Sequence, residues 1–151
     1  MLAKVGQKAP DFTMSTTENI ETLDHVVTLD HYQGKWLILF FYPLDFTFVC
    51  PTEIKGFNSR IAELKTLGTE VLGVSTDSVY SHRAWIKASK SEGGLGELHY
   101  PLASDITKKV AQDYGVLIEE QGISLRGLFI IDPEGIVRYQ VVSDLNIGRS
   151  V

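Results

Sequence analysis

The sequence predicts an α/β fold in which a mixed sheet is covered by helices. Three observations carry that expectation. The apolar run WLILFFY at 36–42 has strand length and no polar alternation, as in a strand buried on both faces. Strand-like and helix-period segments alternate along most of the chain, and strands joined through helices run parallel. Later, LRGLFIID and IVRYQVV flank Asp132-Pro133-Glu134-Gly135, a hairpin signal that adds an antiparallel edge.

The elements follow in order. Residues 1–22 are polar with apolar points at Val5, Phe12 and Met14, which predicts an extended arm. HVVTL reads as a short strand, and WLILFFY, entered through Gly34-Lys35, as the central one. Beyond Cys50 a helical period runs through Ile54, Phe57, Ile61, Leu64 and Leu67, with Gly68 as its C-terminal stop. EVLGVST (70–76) is the next strand, and 78–90 a second amphipathic helix on Ala84, Trp85 and Ala88. SEGGLGEL (91–98) is a loop by its glycines. A short strand precedes a third helix in SDITKKVAQDYG, capped by Ser104 or Asp105 and ended by Gly115. This order predicts a thioredoxin-like three-layer sandwich, with one domain over 1–151.

Composition narrows the function. The chain has 151 residues, 44% of them hydrophobic and 22% charged, and a net charge of −5. Such a balance gives no electrostatic reason for nucleic acid or an anionic membrane as partner. No apolar run approaches the ~20 residues of a membrane span, and MLAKVGQKAPDF lacks a signal-peptide core. A single cysteine forms no internal disulfide, so a cytoplasmic location is expected. His25, His31, His82 and His99 are scattered without HExxH or His-x-His spacing, so no metal site is expected. Glu119-Glu120 reads as solvated surface, and Trp85 and Tyr80 as core or subunit contacts.

The cysteine is the informative residue. Pro51 suits the first position of a helix, which puts Cys50 at the N-cap, facing unpaired backbone N–H groups. A helix N-terminus stabilises an anion by about 0.3–1 kcal/mol, and about 2 when partly buried. Lowering a thiol from ~8.5 to ~6 requires about 3.4 kcal/mol. The dipole falls short, so a cation or a strong donor is needed. Thr47, three residues earlier, is one candidate donor, to a thiolate or to a ligand. Arg126, opening the otherwise apolar LRGLFII, is the candidate cation. Its guanidinium either ends in solvent or meets a buried anion, since an unpaired buried charge is costly. If that strand lies beside WLILFFY, Arg126 reaches the first turn of the cysteine helix, where Glu53 could hold it. Taken singly, these residues also read as a core thiol, a loop hydroxyl and a surface charge. Their combination makes Cys50 a candidate reactive thiolate.

Pro43, Thr47 and Cys50 stand in the spacing P-x-x-x-T-x-x-C, and FFYPLDFTFVCPTEI resembles the peroxidatic site of the peroxiredoxins. The resemblance is to the typical two-cysteine subfamily that includes the alkyl hydroperoxide reductase C subunit. It extends through GVSTDSVYSHRAW, GGLGELHYPLASD, YGV, GISLRGLFIIDPEGIVR and DLNIGRSV in the family's order. It implies an antioxidant thiol peroxidase for hydrogen peroxide and organic hydroperoxides, working through a cysteine sulfenic acid. Cys50 is then the peroxidatic cysteine. Thr47 orients the peroxide, Arg126 activates thiolate and peroxide, Pro43 shields the pocket, Glu53 holds the arginine and Arg149 supports the site. The resemblance also implies no metal, haem or flavin, a thiol reductant such as thioredoxin or a dedicated reductase, and a homodimer. The stretches around Phe46 and 76–82 resemble those through which family dimers form ring-shaped decamers.

One feature departs from the family. Its members carry a resolving cysteine in a C-terminal tail, whereas this sequence stops at NIGRSV, with Ser150 placed like an N-cap. A missing tail is therefore expected, and GGLG (93–96), half of the family's over-oxidation signature, is read without its other half. Two other functions compete. A disulfide reductase would need C-x-x-C, which is lacking. A non-catalytic chaperone or interaction module on the same fold would tolerate Cys50→Ser.

Overall fold

A computed structural model describes residues 2–47 and 50–145, with only the backbone given for Cys50, Pro51 and Thr52. A seven-stranded sheet is built from β1 (Thr13–Thr16), β2 (Val26–Thr28), β3 (Trp36–Phe41), β4 (Thr69–Ser75), β5 (Leu102–Ser104), β8 (Arg126–Ile131) and β9 (Val137–Ser143). Its order is β2-β1-β5-β4-β3-β8-β9. β3 runs parallel to β4 and β4 to β5, while β3–β8, β8–β9, β1–β5 and β1–β2 are antiparallel. The helices are α1 (Cys50–Ser59), α2 (Ile61–Thr66), α3 (Val79–Lys87) and α4 (Lys109–Asp113). This is the predicted mixed α/β sandwich.

β3 explains itself by what lies on either side. Leu37, Leu39 and Phe41 enter one apolar cluster with Leu72, Val110, Tyr114 and Phe129. Phe40 and Tyr42 enter the other with Ile54, Phe57, Ile61, Trp85 and Leu102. Two buried faces leave no place for polar alternation, and each large side chain so buried contributes about 1.5–3 kcal/mol. Phe40 sits opposite Gly73 in the register and stacks on Phe57 at 4.9 Å. A Cβ on Gly73 would stand 2.7 Å from the Phe40 ring, which is why β4 carries a glycine mid-strand.

Several expectations need correction. The helix after Cys50 is two helices, broken at Arg60, because Gly56, Asn58 and Ser59 are weak helix formers and Ser59 donates to the Gly56 carbonyl at 2.8 Å. Leu67 is exposed rather than part of the apolar face. In α3 the buried side chains are His82 and Trp85, and Ala84 points to solvent. α4 is shorter than predicted; the Asp105 carboxylate accepts from the N–H groups of Val110 (3.1 Å) and Ala111 (2.7 Å), while Ser104 donates to the Asp77 carbonyl. The arm contributes β1, and a further ribbon, β6 (Leu117–Ile118) with β7 (Ile123–Ser124), was not foreseen.

Candidate active site

β3 delivers the chain into a loop that leads to α1. Ser124 donates to the Tyr42 carbonyl at 2.9 Å, fixing the exit of the strand. Pro43 is buried, and Asp45 turns inward. Asp45 accepts from the Tyr42 hydroxyl at 2.7 Å and pairs with His82 Nδ1 at 2.7 Å, while its backbone N–H donates to Asp77 Oδ2 at 2.8 Å. His82 Nε2 donates to the Ala103 carbonyl at 2.8 Å. Phe46 takes a positive φ of 63°, which exposes its ring beside Trp85 at 5.8 Å. Ser75 also donates to Asp77 at 2.7 Å. Burial, followed by the nearby Asp45 charge, raises Asp77 above the ordinary carboxylate value.

The helix beyond this loop begins at Cys50, one residue earlier than predicted. Cys50 therefore lies in the first turn rather than at the N-cap, and Pro51 is second. The N–H groups of this first turn have no intrahelical partner, and Pro51, which has no N–H, forgoes no bond there. Thr47 is half-exposed, and its hydroxyl donates to the Leu44 carbonyl at 3.1 Å, within its own loop.

Arg126 opens β8, which lies against β3 as anticipated, and is 3% exposed. Its Nη1 is 3.7 Å from Glu53 Oε1, and its Nε donates to the Leu145 carbonyl at 2.9 Å. Of the two alternatives the sequence left open, the buried anionic partner is the one realised. Tyr100 donates to the Ile54 carbonyl at 2.7 Å and so fastens the first turns of α1. Burial first, and then the Glu53 charge, keep its phenol well above the usual value. A cavity of about 430 Å³ opens beside Phe46 and Thr47, bounded by Lys55, Lys90 and the glycine loop at Gly93 and Gly94. Trp85 donates to the Gly93 carbonyl at 2.9 Å, tying that loop to α3.

The structure thus brings Glu53 and Arg126 together, next to the helix that starts at Cys50. Arg149 and the Cys50 side chain lie outside what is described. Sequence reasoning missed Tyr42, Asp45, His82 and Tyr100. Asp45 alone left a signal, as an acid between Leu44 and Phe46 in an apolar loop. The arrangement can stabilise a small anion at the start of α1 by helix amides and a guanidinium acting together.

The AhpC/TSA family model matches residues 5–140. The chain belongs to that family. Its members include a protein of the rubredoxin operon of Clostridium pasteurianum, named as a peroxiredoxin. It is 58% identical over 97% of this chain and 83% of its own length. The mitochondrial thioredoxin-dependent peroxide reductase of Drosophila melanogaster is 54% identical over 98% of this chain and 62% of its own. The reduced 2-Cys peroxiredoxin of Plasmodium vivax superposes with a TM-score of 0.92 at 42% identity, over 97% of this chain and 76% of its own. With these relatives and this fold, the chain is a peroxiredoxin, a thiol-dependent peroxidase with an antioxidant role. No helix of the described residues is long and apolar enough to cross a membrane.

Proposed function

We propose that Cys50 carries out the peroxide reduction and that Thr47 and Arg126 assist it. The observation behind this reading is the buried guanidinium of Arg126, presented by β8 beside the first turn of α1 and 3.7 Å from Glu53. The Cys50 thiolate attacks one peroxide oxygen and forms an S–O bond. The O–O bond breaks, and its electron pair leaves with the other oxygen, which takes up a proton to become water or alcohol. The peroxide is reduced by two electrons and the sulfur is oxidised to sulfenic acid. Arg126 stabilises the thiolate and the charge developing along the O–O axis, and a Thr47 hydroxyl released from Leu44 donates to a peroxide oxygen. Glu53 positions the guanidinium, Pro43 shields the sulfur from water, and Arg149 supports the site.

The sequence holds one cysteine, so the thiol that reduces the sulfenic acid comes from outside these 151 residues. A thioredoxin-type protein in the cytoplasm is the proposed reductant. The exposed edge of β9, with Tyr139, Val141 and Val142 open to solvent, suits pairing with a second copy in a homodimer. Exposed Phe46 and Tyr80 suit a further contact between dimers in a decamer.

The test is one turnover without added thiol. Equimolar hydrogen peroxide is expected to add one oxygen to the intact protein, located at Cys50 by fragmentation, and Cys50→Ser is expected to add none. Unchanged peroxide consumption by Cys50→Ser would remove the reading.

A further inference from the structure

The cavity of about 430 Å³ beside Thr47 is far larger than hydrogen peroxide needs. A water molecule's share of liquid volume is about 30 Å³, and hydrogen peroxide adds one oxygen to it. Pockets that hold drug-sized ligands begin at about 300 Å³. The space therefore admits the organic part of a hydroperoxide, and its walls indicate which organic part fits.

One wall is α1 and the other is the glycine loop, and hydrogen bonds hold the two in place. Asn58 of α1 donates to the Glu97 carbonyl at 3.1 Å and accepts the His99 N–H at 2.7 Å. From α3, Trp85 donates to the Gly93 carbonyl at 2.9 Å. Gly93 has a φ of 82°, and a Cβ on Gly94 would stand 1.8 Å from the Ala88 carbonyl oxygen, so the loop packs against the end of α3 as only glycine allows. The shape of the cavity is thus set before any ligand enters.

Its charge is opposite to that of the chain. The net charge is −5, whereas the charged residues of the lining are Lys55, Lys90 and Glu92. Lys8, Lys35, Lys87 and Lys109 each pair with a carboxylate. Among the described residues the ammonium groups of Lys55 and Lys90 have no such partner. Glu92 is engaged by the Ser89 hydroxyl at 2.8 Å, and Ser91 adds a hydroxyl to the lining. Lys55 follows Cys50 by five residues on α1, about 7.5 Å along the helix axis. A short organic spacer bridges such a distance.

We propose that this cavity favours hydroperoxides whose organic part ends in a carboxylate, held by Lys55 and Lys90 while the peroxide group lies at Thr47. This rests on the role given above to Cys50. The step is unchanged: the thiolate takes the terminal oxygen, the O–O bond breaks, and the carboxylate-bearing part leaves on the other oxygen, which takes up a proton to become an alcohol. Both lysines are exposed, so their attraction is screened by salt, with a range of about 10 Å at 0.1 M.

The test compares two probes, the para-carboxylate of cumene hydroperoxide and its methyl ester. Stopped-flow fluorescence without added thiol reads the second-order rate constant for oxidation of Cys50 by each. Taking the ratio of the two constants cancels any change common to both. For the native chain at about 0.01 M ionic strength the carboxylate is expected to react about 3–10-fold faster than the ester. That advantage is expected to vanish at about 1 M, where the screening length has fallen from about 30 Å to about 3 Å. The double variant Lys55→Glu, Lys90→Glu is expected to reverse the preference at low salt. Lys8→Glu makes the same kind of charge change near Leu37, at the other end of β3 from the α1 loop, and is expected to keep the preference. Circular dichroism verifies the folding of these surface variants. A native ratio of one, a ratio insensitive to salt, a ratio unchanged in the double variant, or an equal loss in Lys8→Glu overturns the proposal. A native chain oxidised by neither probe nor by hydrogen peroxide overturns the reading of Cys50 as well, whereas rapid oxidation with a ratio of one removes this inference alone.

Discussion

Two buried pairs of ionisable side chains flank the loop between β3 and α1, and they are built differently. Asp45 and His82 meet at 2.7 Å, and the rest of each group is also engaged, by the Tyr42 hydroxyl on one side and the Ala103 carbonyl on the other. Glu53 and Arg126 are as deeply buried, yet their charged atoms stand 3.7 Å apart, beyond hydrogen-bond length. Arg126 is held in addition by its Nε bond to the Leu145 carbonyl. The short pair pins the loop to α3 and β5. The long pair keeps a cation beside the first turn of α1. Equal burial thus accompanies two different contact lengths, and the two pairs fasten different elements around the loop.

The largest expected effect breaks the long pair's function while keeping its charge. Arg126→Lys preserves a cation for Glu53 but loses the planar fork, so the rate of Cys50 oxidation in stopped-flow fluorescence is expected to fall about 10²–10³-fold. A rate within threefold of the native one would place Arg126 with the structural pair.

The next is the reverse case. His82→Leu leaves the Asp45 carboxyl buried without its imidazole partner, an expected loss of about 1–3 kcal/mol in urea unfolding. Tyr42→Phe, which removes one hydrogen bond to the same carboxylate, is expected to cost about 1–3 kcal/mol. If His82→Leu unfolded no more readily than Tyr42→Phe, the short pair would not be the anchor of the loop.

The smallest effect concerns Asp77, which accepts the Asp45 backbone N–H. Its folded-state pKa lies above the ordinary aspartate value of 3.8, chiefly through burial and then through Asp45. Its contribution to stability is thus fully present below the unfolded value and is lost as pH rises through the folded one. Asp77→Asn should therefore gain on the native chain as pH rises from the acid side of 3.8 to neutrality. Urea midpoints at the two ends of that range measure it, and a constant difference would show that the charge is already solvated.

The sequence made the scaffold legible where one physical pattern dominates. β3 and the β8–β9 hairpin follow from apolar runs and turn chemistry, and Pro51 marks the helix start to within one residue. Where two patterns compete it was less legible. The apolar period from Ile54 to Leu67 continues across a stretch whose Gly56, Asn58 and Ser59 break the helix, and only the backbone reveals which prevails. The Arg126–Glu53 contact could be anticipated because an arginine inside an apolar strand demands an anion. The Asp45–His82 contact could not. It joins residues 37 positions apart on a loop and a helix, and each alone reads as polar surface. β6 and β7, at two residues each, are too short for any periodicity to register.

Glu53 and Arg126 lie 73 positions apart, and β8 reaches β3 only after four α-helices and four further strands have been laid down. During synthesis the cysteine emerges well before the arginine that joins its neighbourhood, and a contact of such separation forms late. On the role proposed for Cys50, a nascent or partly denatured chain is expected to carry an ordinary thiol, with heightened reactivity accompanying completion of the sheet. Alkylation kinetics at that sulfur would then serve as an internal clock for the last stage of folding.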